Sequence, residues 1–341
     1  MRKNIKPYGF FSFFVLQWKQ KESGGEPMKK YIALDGGTTN TRLRLISDGR
    51  VHAEKKLALG AGSAGGGGAW SKAIAEGLRA LLSESGIAEN EITAILASGM
   101  ITSEYGAFPL AHLPAPAGLS DLAKGMAEGG IEGVDIPVYF VPGVKMLGAS
   151  AEKTDMMRGE EAEVMGLLPI GGKNCVYVLP GTHSKHIFVD GEGRISRFST
   201  FMTGEMIAAI SSATILRDAV DLSVEGFDPD ALLRGYDAAV SEGLSVALFK
   251  TRIMKNLFSA DARACYSFFL GALLSDEIRS LVKNGASRVL VAGKASLREP
   301  TLYLLEKRGA LSCVQCDAAV METASALGVI RIFEEREKFY A

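Results

Sequence analysis

Tyr31-Ile32-Ala33-Leu34-Asp35-Gly36-Gly37-Thr38-Thr39-Asn40-Thr41-Arg42-Leu43-Arg44-Leu45 reads as strand, glycine turn, strand. Tyr31 to Leu34 is an unbroken apolar run, as expected of a strand covered on both faces, and from Thr41 leucines alternate with arginines. Gly36 and Gly37 carry no Cβ, so the chain can reverse tightly and aim consecutive backbone N–H groups at an anion; the Thr38 and Thr39 hydroxyls add donors. Asp35 stands at the strand end, where a carboxylate can hold Mg²⁺ through water. An ordinary hairpin would need the same glycines. A second copy favours the phosphate cradle: Val176-Tyr177-Val178-Leu179-Pro180-Gly181-Thr182-His183-Ser184-Lys185-His186-Ile187-Phe188-Val189 is again apolar strand, Gly-Thr turn, strand. Each copy then meets a further turn, at Asp48-Gly49 and at Asp190-Gly191. Two such loops can grip a polyphosphate from two sides.

The 341 residues fit about two domains, and 47% hydrophobic content with net charge −1 is that of a soluble globular protein. Lysine and arginine form no basic block, so neither a nucleic-acid face nor a membrane patch is expected. Cys175, Cys265, Cys313 and Cys316 lack the spacing of a disulfide framework and read as reduced thiols of a cytoplasmic protein. The single C-x-x-C and the pair His183 and His186 read as packing residues before metal ligands. Residues 1–27 contain an apolar run, Phe10 to Trp18, too short to span a bilayer and without a small-residue cleavage site. They are expected to be an extension ahead of a fold that starts at Met28.

Along the chain, Val51 to Leu59 predicts a third strand. The glycine-rich Gly60 to Gly68 lacks the Gly-Lys-Ser ending of a P-loop and reads as a surface loop, with a lid as the alternative. Trp70 to Leu82 has helical spacing. Ile92 to Ala97 is a strand that empties into Ser98-Gly99-Met100, a candidate substrate wall because ligands gather beyond strand carboxyl ends. Val138 to Val141 is the last strand expected in the first half. Met157 to Leu168 predicts a helix stopped by Pro169, a hinge whose Glu160, Glu161 and Glu163 suit a helix N-terminus and could include a catalytic base. Beyond the second cradle come a strand from Arg194 to Met202, Thr203 as an N-cap, and helices over 205–217, 228–240, 245–257 and 265–282. Arg288 to Ala292 is a buried-type strand running into Gly293-Lys294, where backbone can approach a flat ring. A last helix spans Asp317 to Ile332.

With these pieces in place, the chain resembles the actin-like ATPase superfamily, and within it the 2-dehydro-3-deoxygalactonokinase family. The resemblance is carried by Asp35 to Arg42, Met157 to Glu161, Leu179 to Lys185, Phe201-Met202-Thr203-Gly204-Glu205 and Val291-Ala292-Gly293. It implies an α/β protein with two ribonuclease-H-like domains, 28–155 and 156–335, closing over an ATP cleft. It further implies Mg·ATP held by Asp35, Gly36, Gly37, Thr38, Thr39, Gly181, Thr182, His183, Ser184, Lys185, Gly293 and Lys294. The phosphoryl group would pass to the terminal 6-hydroxyl of a keto-deoxy sugar acid, with Glu160 as base because the family's acidic element maps onto Gly159-Glu160-Glu161. Arg158 and Arg42 are candidates for the substrate carboxylate, with Asn40, Ser98, Gly99 and Met100 around the hydroxyls. Two departures from the family pattern stand out: Gly36 in the middle of Asp-Gly-Gly where the first turn would carry an aromatic, which bears on the shape of the sugar pocket, and Pro180 in place of an acid, which leaves Asp35 as the main metal carboxylate. A kinase for another sugar acid, such as the gluconate epimer, and a non-catalytic nucleotide-gated regulator are the alternatives. The oligomeric state is left open, a homodimer being one option.

Overall fold

The computed structural model describes residues 28–61, 67–309 and 311–341; the expectations for residues 1–27 and for most of the glycine-rich loop lie outside the described residues. The first half runs through β1 (Lys30–Gly36), β2 (Thr41–Ser47), β3 (Arg50–Leu57), α1 (Gly67–Ser85) and β4 (Ile92–Gly99). It continues with β5 (Leu113–Pro114), α2 (Leu119–Gly125), β6 (Ala127–Ile131), β7 (Val134–Phe140), β8 (Val144–Met146) and β9 (Asp155–Met157). The second half comprises α3 (Glu160–Gly171), β10 (Cys175–Leu179), β11 (Ser184–Val189), β12 (Ile195–Phe201), α4 (Thr203–Ala213), α5 (Pro229–Glu242) and α6 (Leu244–Phe258). It ends with α7 (Ala262–Lys283), β13 (Arg288–Val291), α8 (Ala295–Leu304), β14 (Ser312–Val314) and α9 (Ala318–Tyr340).

The repeat seen in the sequence is a repeat of sheets. One sheet has the order β3-β2-β1-β4-β7-β6 and the other β12-β11-β10-β13-β14. Each begins with an antiparallel meander whose first strand then pairs in parallel with a later one, β1 with β4 and β10 with β13. The apolar runs are explained by burial on both faces. Tyr31 and Ala33 face a core shared with α3 and α9, while Ile32 and Leu34 face α1. In β10, Cys175, Tyr177 and Leu179 face that same shared core, and Val176 and Val178 face α7.

The shared core depends on two helices crossing at backbone contact. A Cβ built on Gly166 of α3 would fall 1.9 Å from the Ala324 carbonyl oxygen of α9, and one on Gly328 would fall 1.8 Å from the Ala162 oxygen. The α5 and α7 pair repeats the device with Gly235 and Gly271.

Several local expectations are corrected. The hinge helix starts at Glu160, because Asp155 to Met157 pairs with β8 as a strand and Gly159 takes φ +109°. Pro169 does not stop it; the helix runs to Gly171. Proline lacks the N–H that would bond to the Met165 carbonyl one turn back, and Arg331 of α9 donates to that carbonyl instead. Thr203 is not a cap, since its hydroxyl donates to Glu277. The short strands β8 and β9 went unforeseen in the first half, as they have three residues each and form a small third sheet with β5. The last helix continues past Ile332 to Tyr340, and Asp317 caps it by accepting from the Ala319 N–H at 2.8 Å. Among the described residues no helix is long and apolar enough to cross a membrane.

Candidate active site

Strand register assembles the first turn. Asp35 is opposite Arg42 on β2 and Ser98 on β4, while Gly36 is opposite Gly99, so these residues meet at the carboxyl ends of two parallel strands. Gly99, at φ +83°, passes so close that a Cβ would sit 2.5 Å from the Gly36 oxygen, and a Cβ on Gly159 would sit 3.2 Å from the Gly99 Cα. The start of α3 thereby touches the floor of the first turn. The Gly37 N–H does not point outward as expected; it donates to the Asn40 carbonyl at 2.9 Å and closes the turn. Thr38 and Thr39 are exposed, and the Asn40 amide donates to Thr39 Oγ1 at 3.0 Å. The base of the turn is braced where Trp70 Nε1 donates to Thr41 Oγ1, which itself donates to the Leu59 carbonyl, both at 2.8 Å.

The second turn is packed from two directions. Gly204 lacks the Cβ that would meet the Gly181 oxygen at 2.3 Å, and the Glu205 N–H donates to the Thr182 carbonyl at 3.1 Å. From the other side Gly293, at φ +90°, would place a Cβ 3.0 Å from the Pro180 oxygen. Gly293 therefore lies beside the second turn, and Lys294 follows it in the chain as the N-cap of α8. His183 Nε2 is 3.1 Å from Glu205 Oε2, and the Gly181 N–H reaches Ser184 Oγ at 3.4 Å.

Lys185 takes a direction that its place in the motif did not suggest. It is buried in β11, donates to Thr200 Oγ1 at 2.8 Å, and places its ammonium 3.8 Å from Glu160 Oε1. Thr200 donates in turn to Asp155 Oδ1 at 2.9 Å. The Glu160 Oε2 accepts the Arg158 N–H at 3.0 Å. Burial raises the Glu160 carboxyl above its ordinary range and Lys185 opposes that rise. Burial also raises Asp35, against the pull of Arg42 and Arg44.

Two more carboxylates share this space. Both oxygens of Glu161 accept the Gly159 N–H at 2.8 Å. Burial, then repulsion from Glu160, pushes Glu161 and Glu163 each up to about 8. Their folded values lie above the ordinary 4.5, so the stability they contribute is complete below that pH and is lost as pH rises toward 8. The urea midpoint of wild type is expected to fall across this window, and Glu163→Gln is expected to flatten the fall. Parallel curves for the two proteins would contradict this.

Of the candidate carboxylate binders, Arg158 is already engaged. Its Nη1 donates to Thr102 Oγ1 at 2.6 Å, and its Nη2 donates to the Leu110 carbonyl at 2.9 Å and lies 3.2 Å from His112 Nδ1. Arg44 is held by Glu54 at 2.6 Å, its cross-strand partner in the register. Arg42 is half-buried beside Asp35, facing the same space. The roles of Thr102, His112 and Asp155 were not foreseen, and the sequence holds no signal for the first two. The Arg44–Glu54 pair could have been found from strand alternation. Among the described residues no group of three or more His, Cys, Asp and Glu side chains is arranged to hold a metal ion.

Two like-ordered sheets meeting on a shared helical core, with a glycine turn from each and a carboxylate between them, define an actin-like ATPase fold. The activator of 2-hydroxyisocaproyl-CoA dehydratase from Clostridium difficile, solved with bound ADPNP, shares that fold with a TM-score of 0.52 at 14% identity, over 91% of this chain and 97% of that one. A crystal structure from Sinorhizobium meliloti carrying a 2-dehydro-3-deoxygalactonokinase designation is nearer, with a TM-score of 0.72 and 27% identity over 89% and 97% of the two chains. The chain belongs to the 2-keto-3-deoxy-galactonokinase family, whose model matches residues 35–332. It is 32% identical to the probable 2-dehydro-3-deoxygalactonokinase DgoK1 of Rhizobium meliloti (strain 1021), over 87% of this chain and 95% of that protein. It is thus a sugar-acid kinase, a phosphotransferase of a family that uses ATP.

Proposed function

We propose that this kinase transfers the γ-phosphoryl group of ATP to the terminal 6-hydroxyl of 2-dehydro-3-deoxy-D-galactonate. The observation that carries the reading is the position of Glu160, at the hinge between the two glycine turns and 3.8 Å from Lys185. In this reaction the substrate oxygen bonds to the γ-phosphorus, the bond to the β-bridging oxygen breaks, ADP leaves, and Glu160 Oε1 takes the hydroxyl proton. Catalysis of this kind is mostly positioning and charge neutralisation. Thr38, Thr39, Gly181, Thr182, His183 and Ser184 would hold the phosphates, with Gly293 and Lys294 on the adenosine side. Residues 28–155 would then carry the sugar acid and the first phosphate turn, and residues 156–335 the second phosphate turn and the adenosine.

Mg²⁺ fits the residues present. It favours one or two carboxylates completed by phosphate oxygens and water, and Asp35 offers such a carboxylate at the carboxyl end of β1, beside the first turn. When bound, the ion would neutralise charge on the phosphates.

The substrate carboxylate calls for a planar bidentate donor. Arg42 is favoured, since the terminal nitrogens of Arg158 already serve Thr102, Leu110 and His112. Ser98, Gly99, Met100 and Asn40 would line the hydroxyls, with Arg158 shaping the wall. Arg42→Ala is expected to raise the KM for the sugar acid on the order of tenfold or more, the worth of a charge-assisted pair, with the KM for ATP unchanged. An unchanged sugar-acid KM would return Arg158 to that role.

The deciding experiment is coupled ATP turnover on 2-dehydro-3-deoxygalactonate beside its gluconate epimer and unrelated sugars. Preference for the galactonate form supports the proposal. Activity confined to the epimer keeps the chemistry and moves the substrate.

A further inference from the structure

Behind the second turn lies a buried polar cluster that the reaction above does not use. Glu277 of α7 and His186 of β11 are each 1% exposed, and Thr203 at the start of α4 is 4% exposed. One Glu277 oxygen accepts from the Thr203 hydroxyl, and the other lies 3.1 Å from His186 Nε2. The Phe201 ring packs on the imidazole at 4.5 Å between centroids, and His186 Nδ1 is buried with no partner. Apolar residues of similar volume would fill this space without an orphaned polar atom. A buried carboxylate kept at that cost points to a geometric role.

The geometry it fixes is that of the nucleotide turn. His186 is two residues beyond Ser184 on the strand that leaves the turn, and Thr203 precedes Gly204 and Glu205, whose backbone rests on Gly181 and Thr182. Glu277 thus ties together the two segments flanking the turn and fastens both to the longest helix of the helical layer behind the second sheet. We infer that Glu277 is a positioning residue for the nucleotide. Through Thr203 it holds the first turn of α4 against the second glycine turn, so that the phosphate-binding backbone is preformed before ATP arrives. This inference rests on the reading of the second turn as a phosphate site.

The test is steady-state kinetics of the full chain, varying ATP at saturating sugar acid and then the reverse, with ADP affinity measured by calorimetry. Glu277→Leu leaves Thr203 and His186 without their partner and is expected to raise the KM for ATP and the ADP Kd ~10-fold, the scale of an unpaired buried polar group. The KM for the sugar acid stays at the wild-type value. Thr203→Val reproduces most of the shift, and the double variant adds little, as for two residues acting through one contact. Glu277→Gln keeps an oxygen for Thr203 and restores most of the affinity. A lowered Tm with wild-type ATP KM and ADP Kd would overturn the inference, as would equal rises in both KM values. Should Glu277→Leu fail to fold, Thr203→Val decides on the same readouts. Absence of ADP binding by wild type would remove the phosphate-site reading along with this one, so the two failures are told apart in the wild-type control.

Discussion

Glu160→Gln is expected to lower kcat by a factor on the order of 10²–10⁴ while ATP still binds. The amide is nearly the shape of the acid and can still accept the Arg158 N–H through its oxygen, the bond seen at 3.0 Å. It cannot take a proton from the substrate hydroxyl. Burial raises the Glu160 carboxyl, which strengthens it as a base, and the Lys185 ammonium works to keep it ionised. The variant should therefore separate positioning from proton transfer. Single-turnover measurements with saturating ATP check the result; a wild-type rate would pass the assignment to Glu163 or Glu161, which lie in the same first turn of α3.

The largest effect on folding is expected at the crossing of α3 and α9. Gly328→Ala places a Cβ 1.8 Å from the Ala162 carbonyl oxygen. The obstacle is backbone, so no side chain can swing away, and relief requires the helices to move apart. Overpacking of this kind costs on the order of 3 kcal/mol or more. The movement also reaches the site, because Ala162 lies in the first turn of the helix that begins at Glu160. A fall in urea midpoint and a fall in kcat are expected together. Gly235→Ala, at the equivalent crossing of α5 and α7, is expected to cost similar stability with less effect on turnover, since that pair lies behind the second sheet, away from Glu160. Wild-type stability for Gly328→Ala would mean the helices tolerate a wider separation than the crossing suggests.

The family and the architecture were legible in the chain because their signals are local. Tyr31 to Leu34 and Cys175 to Leu179 are apolar without interruption because each is buried on both faces, and that pattern, repeated before a Gly-Thr turn, identifies the duplicated sheet. Less local features escaped. Pro169 by its own propensity stops a helix, yet the carbonyl it orphans is served by Arg331, 166 residues away. Thr203 has the residue type and place of a cap, yet its hydroxyl goes to Glu277, 74 residues away.

The amino-acid sequence by itself determined the two glycine turns, the acidic helix start between them and the kinase family, since backbone conformation at a turn and burial of a strand are set by neighbouring residues. Only the tertiary structure decided which charged groups are spent and which are left to act. Arg158 serves Thr102 and His112, Lys185 faces Glu160, and Arg42 remains beside Asp35. The reason is physical: the direction of a long charged side chain is chosen by whichever partners the packing of sheets and helices brings within hydrogen-bond reach, and those partners lie far away along the chain.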